Sequence, residues 1–347
     1  DRRIKHRPGQ WIVEKDWPST EIKHAKLYLT SNGTLGGDTC ELNNIIKSPA
    51  TCGFGAGSYF PMSSSVPEQS GDQRVDDAYS LCFDDNPSKT AIDIVGRPKI
   101  KLTLKSDNQC GHLCVRLCDV SPEGSSTRIT YGLLNLTHRE SHENPTPIPV
   151  DEEFSIELEL DQIAYRLLPE NKLRISLSNA YWPLVWPVAE QATLTLVKGE
   201  LLLPIRQKSD KPEYVFSDPE AASPWSRKII REPSYSNKII TDQMTNAVTI
   251  EIFDDYGIVE DNNHGLQIGT VVREAFSIHP NDPLCASGHI HWTQTLARNK
   301  WNIRTEAYTS LTSDKNNFYM TAKIKAFEEE KLIFEKEFKE TIKRSFH

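Results

Sequence analysis

Long hydrophobic runs are missing from this sequence. Nowhere do about 18 apolar residues follow one another, the minimum for a membrane-spanning helix. An excess of positive charge is missing too. With 40 Lys and Arg against 48 Asp and Glu, the formal net charge is −8. That balance argues against a nucleic-acid partner, whose phosphates are bound largely by Lys and Arg. Neither a dinucleotide-binding glycine pattern nor a phosphate loop occurs. Gly-x-Ser-x-Gly, the mark of a serine nucleophile on a strand-to-helix elbow, is also absent; Ser58 follows Gly57, but the rest of the pattern fails. Cysteine is sparse. Seven thiols, an odd number scattered over 347 residues, suit a reduced cytoplasmic compartment better than a disulfide framework. The first residues carry no signal-peptide pattern. They begin at Asp1, so the chain is expected to be the middle and end of a longer polypeptide.

What is there alternates with a period of two. Ile100, Leu102 and Leu104 are interleaved with Lys101, Thr103 and Lys105, as in a half-buried strand. A second strand is expected over 113–120, and others around Tyr131, Phe154, Leu173 and Leu194. Only 161–168, stopped by Pro169, reads as helix. Many short alternating strands separated by Pro, Gly and Asn turns indicate an all-β sandwich. Residues 204–238 are rich in Pro and Ser with little periodicity. The domain division is therefore 1–207, a linker at 208–238, and a second antiparallel β domain at 239–347. Within the latter, Asp254-Asp255-Tyr256-Gly257 reads as a hairpin-like turn. The last segment fits either a helix face (Phe334, Phe338, Ile342) or an exposed strand.

Several side-chain groups invite a chemical reading. Cys110, His112, Cys114, Arg116 and Cys118 would share one strand face. Ligands spread along one strand span roughly 26 Å at about 3.3 Å per residue, too far to meet one zinc ion, so these cysteines are expected as core packing. His289 and His291 also share a face, which is read as an exposed polar strand. Asp72, Asp76, Asp77, Asp84 and Asp85 lack the regular ligand spacing of a calcium loop; salt bridges and Asx-turns account for them. No metal or other cofactor is called for. Tyr181-Trp182-Pro183-Leu184-Val185-Trp186-Pro187 places two indoles in a loop. Trp182 and Trp186 are candidates for a domain interface or, alternatively, for stacking a ligand. No catalytic residue is found.

One set of motifs is specific. Gly71-Asp72-Gln73-Arg74 is followed by Ser80-Leu81-Cys82-Phe83 and Ile94-Val95-Gly96-Arg97-Pro98-Lys99-Ile100. Val115-Arg116-Leu117-Cys118-Asp119, Tyr131-Gly132-Leu133-Leu134-Asn135 and Asn171-Lys172-Leu173-Arg174-Ile175 come next in order. Together they resemble the C-terminal domain of the X-Pro dipeptidyl-peptidase and cocaine-esterase-like hydrolases, over about residues 8–203. The tail resembles an extension found in a subset of them. The resemblance implies a galactose-binding-like jelly-roll β-sandwich packed on an α/β-hydrolase catalytic domain of the same polypeptide. That domain would carry a Ser-Asp-His triad, all of it upstream of Asp1. The loop at 51–60 occupies the position that closes the acyl pocket in relatives, which implies Phe54, Tyr59 and Phe60 as pocket-lining residues. Members of the family often pair, so the resemblance leaves a homo-oligomer open, while the charge balance and the lack of a long apolar run speak against a nucleic-acid or membrane partner. The alternative is an independent carbohydrate- or peptide-binding β-sandwich module.

Overall fold

The computed structural model describes residues 9–57, 70–207 and 215–346. They divide into two compact units, the first running to Asp218 and the second comprising Pro219–Ser345.

The first unit follows from its alternating strands. In chain order they are β1 (Ile22–Tyr28), β2 (Asn44–Ile46), the one-turn helix α1 (Arg74–Ala78), β3 (Leu81–Asp84), β4 (Ile92–Gly96) and β5 (Lys99–Ser106). There follow β6 (His112–Val120), β7 (Ser126–Asn135), β8 (Phe154–Glu159), β9 (Ile163–Leu167), β10 (Lys172–Ser178) and β11 (Leu194–Arg206). One sheet has the order β8-β5-β11-β4-β9, with β1 and β2 also on β11; the other has the order β3-β10-β6-β7. Their facing sides close a single apolar layer. Ile100, Leu102 and Leu104 of β5 meet Leu113, Val115 and Leu117 of β6 and Leu173, Ile175 and Leu177 of β10. The result is a two-sheet β-sandwich of antiparallel strands, as the alternation predicts.

One expectation fails here for an identifiable reason. Residues 161–168 form no helix. Ile163, Tyr165 and Leu167 alternate with Ala164 and Arg166, and the segment pairs with β4 as strand β9. Strand β6 is buried on both faces, in keeping with core packing of Cys114 and Cys118. Its even-numbered side chains are covered by a second layer made of α1 and two loops.

The second unit is one antiparallel sheet. Its strands are β12 (Arg227–Arg231), β13 (Ser234–Thr241), β14 (Val248–Asp261), β15 (Gln267–His279) and β16 (Asp282–Arg298). β17 (Trp301–Ser313), β18 (Asn317–Glu328) and β19 (Lys331–Lys343) complete it. From β14 to β19 each strand pairs with the next, while β12 and β13 both pair with β14. The linker expected at 208–238 is thus corrected over 227–238, which belongs to these two strands. They are almost wholly exposed, so no apolar alternation announces them, and Pro233 between them reads as a turn. The tail is strand β19, not helix.

Asp254-Asp255-Tyr256-Gly257 is not a hairpin turn either. It lies inside β14, where the register with β15 shifts between Asp255 and Ile258. The same residue types serve a turn and a β-bulge, because both need an Asx-type hydrogen bond and a positive φ. The Gly257 N–H donates to Asp255 Oδ1 at 2.8 Å, and Gly257 has φ +76°. The crossing from β12 to β13 passes so close that a Cβ on Gly257 would lie 2.3 Å from the Arg231 carbonyl oxygen. Gly257→Ala is therefore expected to destabilise the sheet by about 1–3 kcal/mol, read as a lower urea midpoint with an unchanged m-value.

Candidate functional site

Side chains on the outer face of the β3-β10-β6-β7 sheet form a polar row. Register places Cys82, Ser176, Arg116 and Tyr131 side by side across the four strands. Arg116 is fully buried, so its charge must be matched locally. Its Nη1 donates to Gln73 Oε1 at 3.0 Å and lies 3.2 Å from Asp77 Oδ1; its Nη2 donates to Ser80 Oγ at 2.8 Å. Burial opposes the Arg116 charge, but Cys118 and Asp77 beside it more than offset this, and its pKa is raised. Asp77 also accepts from Ser126 Oγ at 2.7 Å, Ser176 Oγ at 2.8 Å and Arg174 Nη1 at 3.1 Å. Arg174 in turn donates to both oxygens of Asp84, at 2.6 and 2.8 Å. The acidic residues noted in the sequence are thus ion-pair and capping groups: Asp72 pairs with Arg74, Asp77 with Arg116 and Arg174, and Asp84 with Arg174 and Lys172.

On this row the Gly71-Asp72-Gln73-Arg74 segment and α1 hold a loop. The two oxygens of the buried Asp76 carboxylate accept from the Gly53 N–H at 2.9 Å and the Gly55 N–H at 2.8 Å. Gln73 Nε2 donates to the carbonyls of Gly55 at 2.7 Å and Gly71 at 2.8 Å. On the other flank, the Trp182 N–H donates to the Cys52 carbonyl at 2.7 Å. Gly53, at φ +120°, sits so close to that strand-end loop that a Cβ would lie 2.4 Å from the Trp182 carbonyl oxygen. A Cβ on Gly55 would lie 2.8 Å from Asp76 Oδ2. Glycine is required at position 53 by its positive φ and close approach to backbone, while a side chain at position 55 would push on the Asp76 and Gln73 groups that hold the loop.

Phe54 stands half-buried between these two anchored glycines. Tyr59 and Phe60 lie outside the described residues. Val75 is 58% and Tyr79 41% exposed, on or beside α1. Trp182 is 1% exposed and meets Trp186 edge-on at 5.4 Å between ring centroids; Trp186 is half-buried. With so little of its surface open, Trp182 packs within its own unit and has no free ring face on which to stack a ligand. Nearby, Ala56, Cys114 and Tyr181 pack into a small cluster, and Arg128 Nη1 donates to the Tyr181 hydroxyl at 2.7 Å. Burial pushes the Cys52 and Cys118 thiols up to about 12. They are packing groups with little thiolate character.

The second unit presents a concave groove of about 780 Å³ on one face of its sheet. Register carries Phe253, Arg273, His291 and Tyr308 across four adjacent strands there. His291 stacks on Tyr308 at 4.1 Å and 13°, and partial burial lowers the His291 pKa. His289 lies on the same face and is exposed. No cluster of three or more metal-ligating side chains exists among the described residues, and no helix among them is long and apolar enough to cross a membrane.

The chain is similar to known proteins over part of its length, and the family match runs past the first unit into β12 and β13. Residues 2–238 match the family described as X-Pro dipeptidyl-peptidase C-terminal non-catalytic domain. The chain is 23% identical over 195 residues to the cocaine esterase of Rhodococcus sp. (strain MB1 Bresler), a match covering 50% of this chain and 33% of the esterase. Its fold is similar to that of an aminopeptidase from a marine sediment Thaumarchaeota archaeon. That match has a TM-score of 0.50 and 18% identity, and covers 57% of this chain and 39% of the aminopeptidase. A CocE/NonD family hydrolase from Staphylococcus aureus aligns with a TM-score of 0.46 and 14% identity, over 59% of this chain and 40% of the hydrolase. The chain therefore spans about a third of the length of the curated relative it matches.

Two predictions follow from the anchored loop. Asp76→Ala removes both glycine N–H acceptors and is expected to cost about 2–4 kcal/mol, the range for losing buried hydrogen bonds to a charged group. The Gly53 and Gly55 amides should then lose hydrogen-exchange protection before the sandwich core does. The second concerns acid. Burial pushes Asp84 up, but hydrogen bonds from Arg174 and Lys172 outweigh it and hold the carboxyl below its ordinary value of 3.8. The unfolded chain therefore protonates first as pH falls, and the stability that Asp84 supplies near neutrality is lost through its folded pKa. Asp76 works in the opposite sense, because burial raises its pKa: its ionisation lowers stability as pH rises, a cost that Arg116 and the two glycine N–H groups offset in part. Asp84→Asn should lower stability at neutral pH and flatten the decline between about pH 5 and about pH 2, measured by urea titration at each pH.

Proposed function

The chain belongs to the family of X-Pro dipeptidyl-peptidase C-terminal non-catalytic domains, and from that premise we propose that it is the accessory part of a serine α/β-hydrolase. In this reading it packs on a catalytic domain of the same polypeptide and supplies one wall of that domain's acyl pocket. The parent would cleave an ester or amide through an acyl-enzyme. The observation that carries the reading is the anchored loop. Gly53 and Gly55 are held by Asp76, Gln73 and the Trp182 backbone, so the side chain between them, Phe54, is presented on a fixed backbone. A pocket wall needs this rigidity, because a loose wall discriminates poorly between acyl groups. Tyr59 and Phe60 belong to the same proposed wall.

The apolar side chains of Val75 and Tyr79 support the same docking face. The absence of disulfides at Cys40, Cys52, Cys82, Cys114, Cys118 and Cys285 accords with a cytoplasmic setting, which is part of the proposal. The reading as an independent carbohydrate- or peptide-binding module is weakened by the burial of Trp182, one of its two stacking candidates.

The test uses the full-length polypeptide that contains this chain. Phe54→Ala should change kcat/KM by roughly tenfold or more across a series of p-nitrophenyl esters of increasing acyl size, with the preference shifting toward larger acyl groups. The 347-residue chain alone should hydrolyse none of them. An unchanged acyl-size profile in the variant would remove Phe54 from the pocket.

A further inference from the structure

Strand β19 ends the second unit's sheet, pairing with β18 and with no other strand among the described residues. All thirteen of its residues are exposed. Long bare edges are normally blunted by proline, bulges, shortness or charged side chains. This one has no proline. Its bulge lies at its beginning, where the register shifts between Ala326 and Phe327, and from Phe334 to Lys343 it stays in step with β18. Phe334, Phe338 and Ile342, at 50%, 45% and 47% exposure, line one face together with Lys336 and Glu340. Glu335, Glu337, Lys339, Thr341 and Lys343 line the other.

We propose that β19 is a self-association edge, pairing antiparallel with β19 of a second copy of this chain about a two-fold axis at Phe338. Residues opposite one another in an antiparallel pair share a face. In this register Phe338 meets its own copy and Phe334 meets Ile342 on one face, where Lys336 also meets Glu340. On the other face Glu337 meets Lys339 and Glu335 meets Thr341. By the two-fold, every pair except the central one occurs twice. The neighbouring registers fail on charge or on polarity. Centring on Lys336 sets Lys336 against itself and Glu335 against Glu337. Centring on Glu337 sets that carboxylate against itself, Phe334 against Glu340 and Lys331 against Lys343. Centring on Lys339 sets that ammonium against itself and Phe338 against Glu340. Among these registers only the one through Phe338 sets no like charges opposite one another while matching Phe338 with Phe338, Phe334 with Ile342, Lys336 with Glu340 and Glu337 with Lys339; Glu335 faces the neutral Thr341, and Ile333 at the bulged end faces Lys343. The charges on this edge, which would protect it against indiscriminate pairing, select one register with itself. The proposal is independent of any catalytic-domain contact.

The experiment is sedimentation equilibrium of the 347-residue chain over a concentration series, with charge-reversed variants checked for folding by circular dichroism. The wild type should dimerise. Lys336→Glu should weaken the dimer at least about tenfold by facing Glu340 with a like charge, and the pair Lys336→Glu with Glu340→Lys should restore it. A second measurement fixes the axis. In a Cys285→Ser background, Phe338→Cys should cross-link on mild oxidation, since opposed residues lie about 4.5–5.5 Å apart at Cα, within disulfide reach. Ile342→Cys should not, because its two copies would stand about 26 Å apart at about 3.3 Å per residue. A monomer throughout the series overturns the proposal. So does a dimer indifferent to Lys336→Glu, or one that cross-links at position 342 and not at 338.

Discussion

The arrangement of the first unit turns on one buried guanidinium. Arg116 sits in mid-strand on a sheet face that would meet water in an ordinary sandwich, yet it is fully buried. A charge in that place is tolerated only if it is paired and its donors are taken up. Asp77, Gln73 and Ser80 do this at Nη1 and Nη2, leaving the buried Nε without a hydrogen-bond partner among the described residues, and all three come from the 71–80 segment. The loops therefore have to cover the strand for Arg116 to be buried, and Arg116 has to be there for the loops to find their place. Such a pair is a weak source of net stability, because an apolar replacement of similar volume is often neutral or better. Its effect here is to select one position for Gln73 and α1, and through them one position for residues 53–55.

That coupling explains which parts were legible beforehand. Strands such as β5 were readable because Ile100, Leu102 and Leu104 report their burial locally, one residue at a time. The Gly71-Asp72-Gln73-Arg74 motif was readable as a resemblance, but its physical role was not. Its partners Gly55 and Arg116 lie 18 and 43 residues from Gln73, and no local pattern encodes such a contact. Core packing of Cys114 and Cys118 was readable, but what covers that face of β6 was not, since the cover comes from elsewhere in the chain. A usable signal did exist: Cys114, Arg116 and Cys118 on one strand face make a poor water-facing surface, and an unpaired Arg between two cysteines calls for a carboxylate nearby.

Ambiguity in the second unit has a different origin. Strands β12 and β13 and the tail strand β19 are exposed on both sides, so the period of two loses its contrast between inside and outside. What remains is composition, and Lys/Glu-rich composition is shared by exposed helices and exposed strands. The 254–257 segment shows a related ambiguity. Asx-type hydrogen bonding and a glycine at positive φ satisfy a hairpin turn and a bulge equally well, and only the strand passing over Gly257 decides between them.

The way the 51–57 loop is held also bears on how a pocket wall can vary. Its anchors are backbone groups: the N–H of Gly53, the N–H and carbonyl of Gly55, and the carbonyl of Cys52. None of these uses the side chain at position 54. A substitution at Phe54 therefore changes the shape of the presented surface without removing a hydrogen bond that fixes the loop, whereas substitutions at Gly53, Gly55, Gln73 or Asp76 disturb the loop whatever its tip carries. Placement and shape are assigned to different residues. For a protein whose proposed task is to bound another domain's acyl pocket, that separation lets acyl preference change at one position while the scaffold that positions it stays the same.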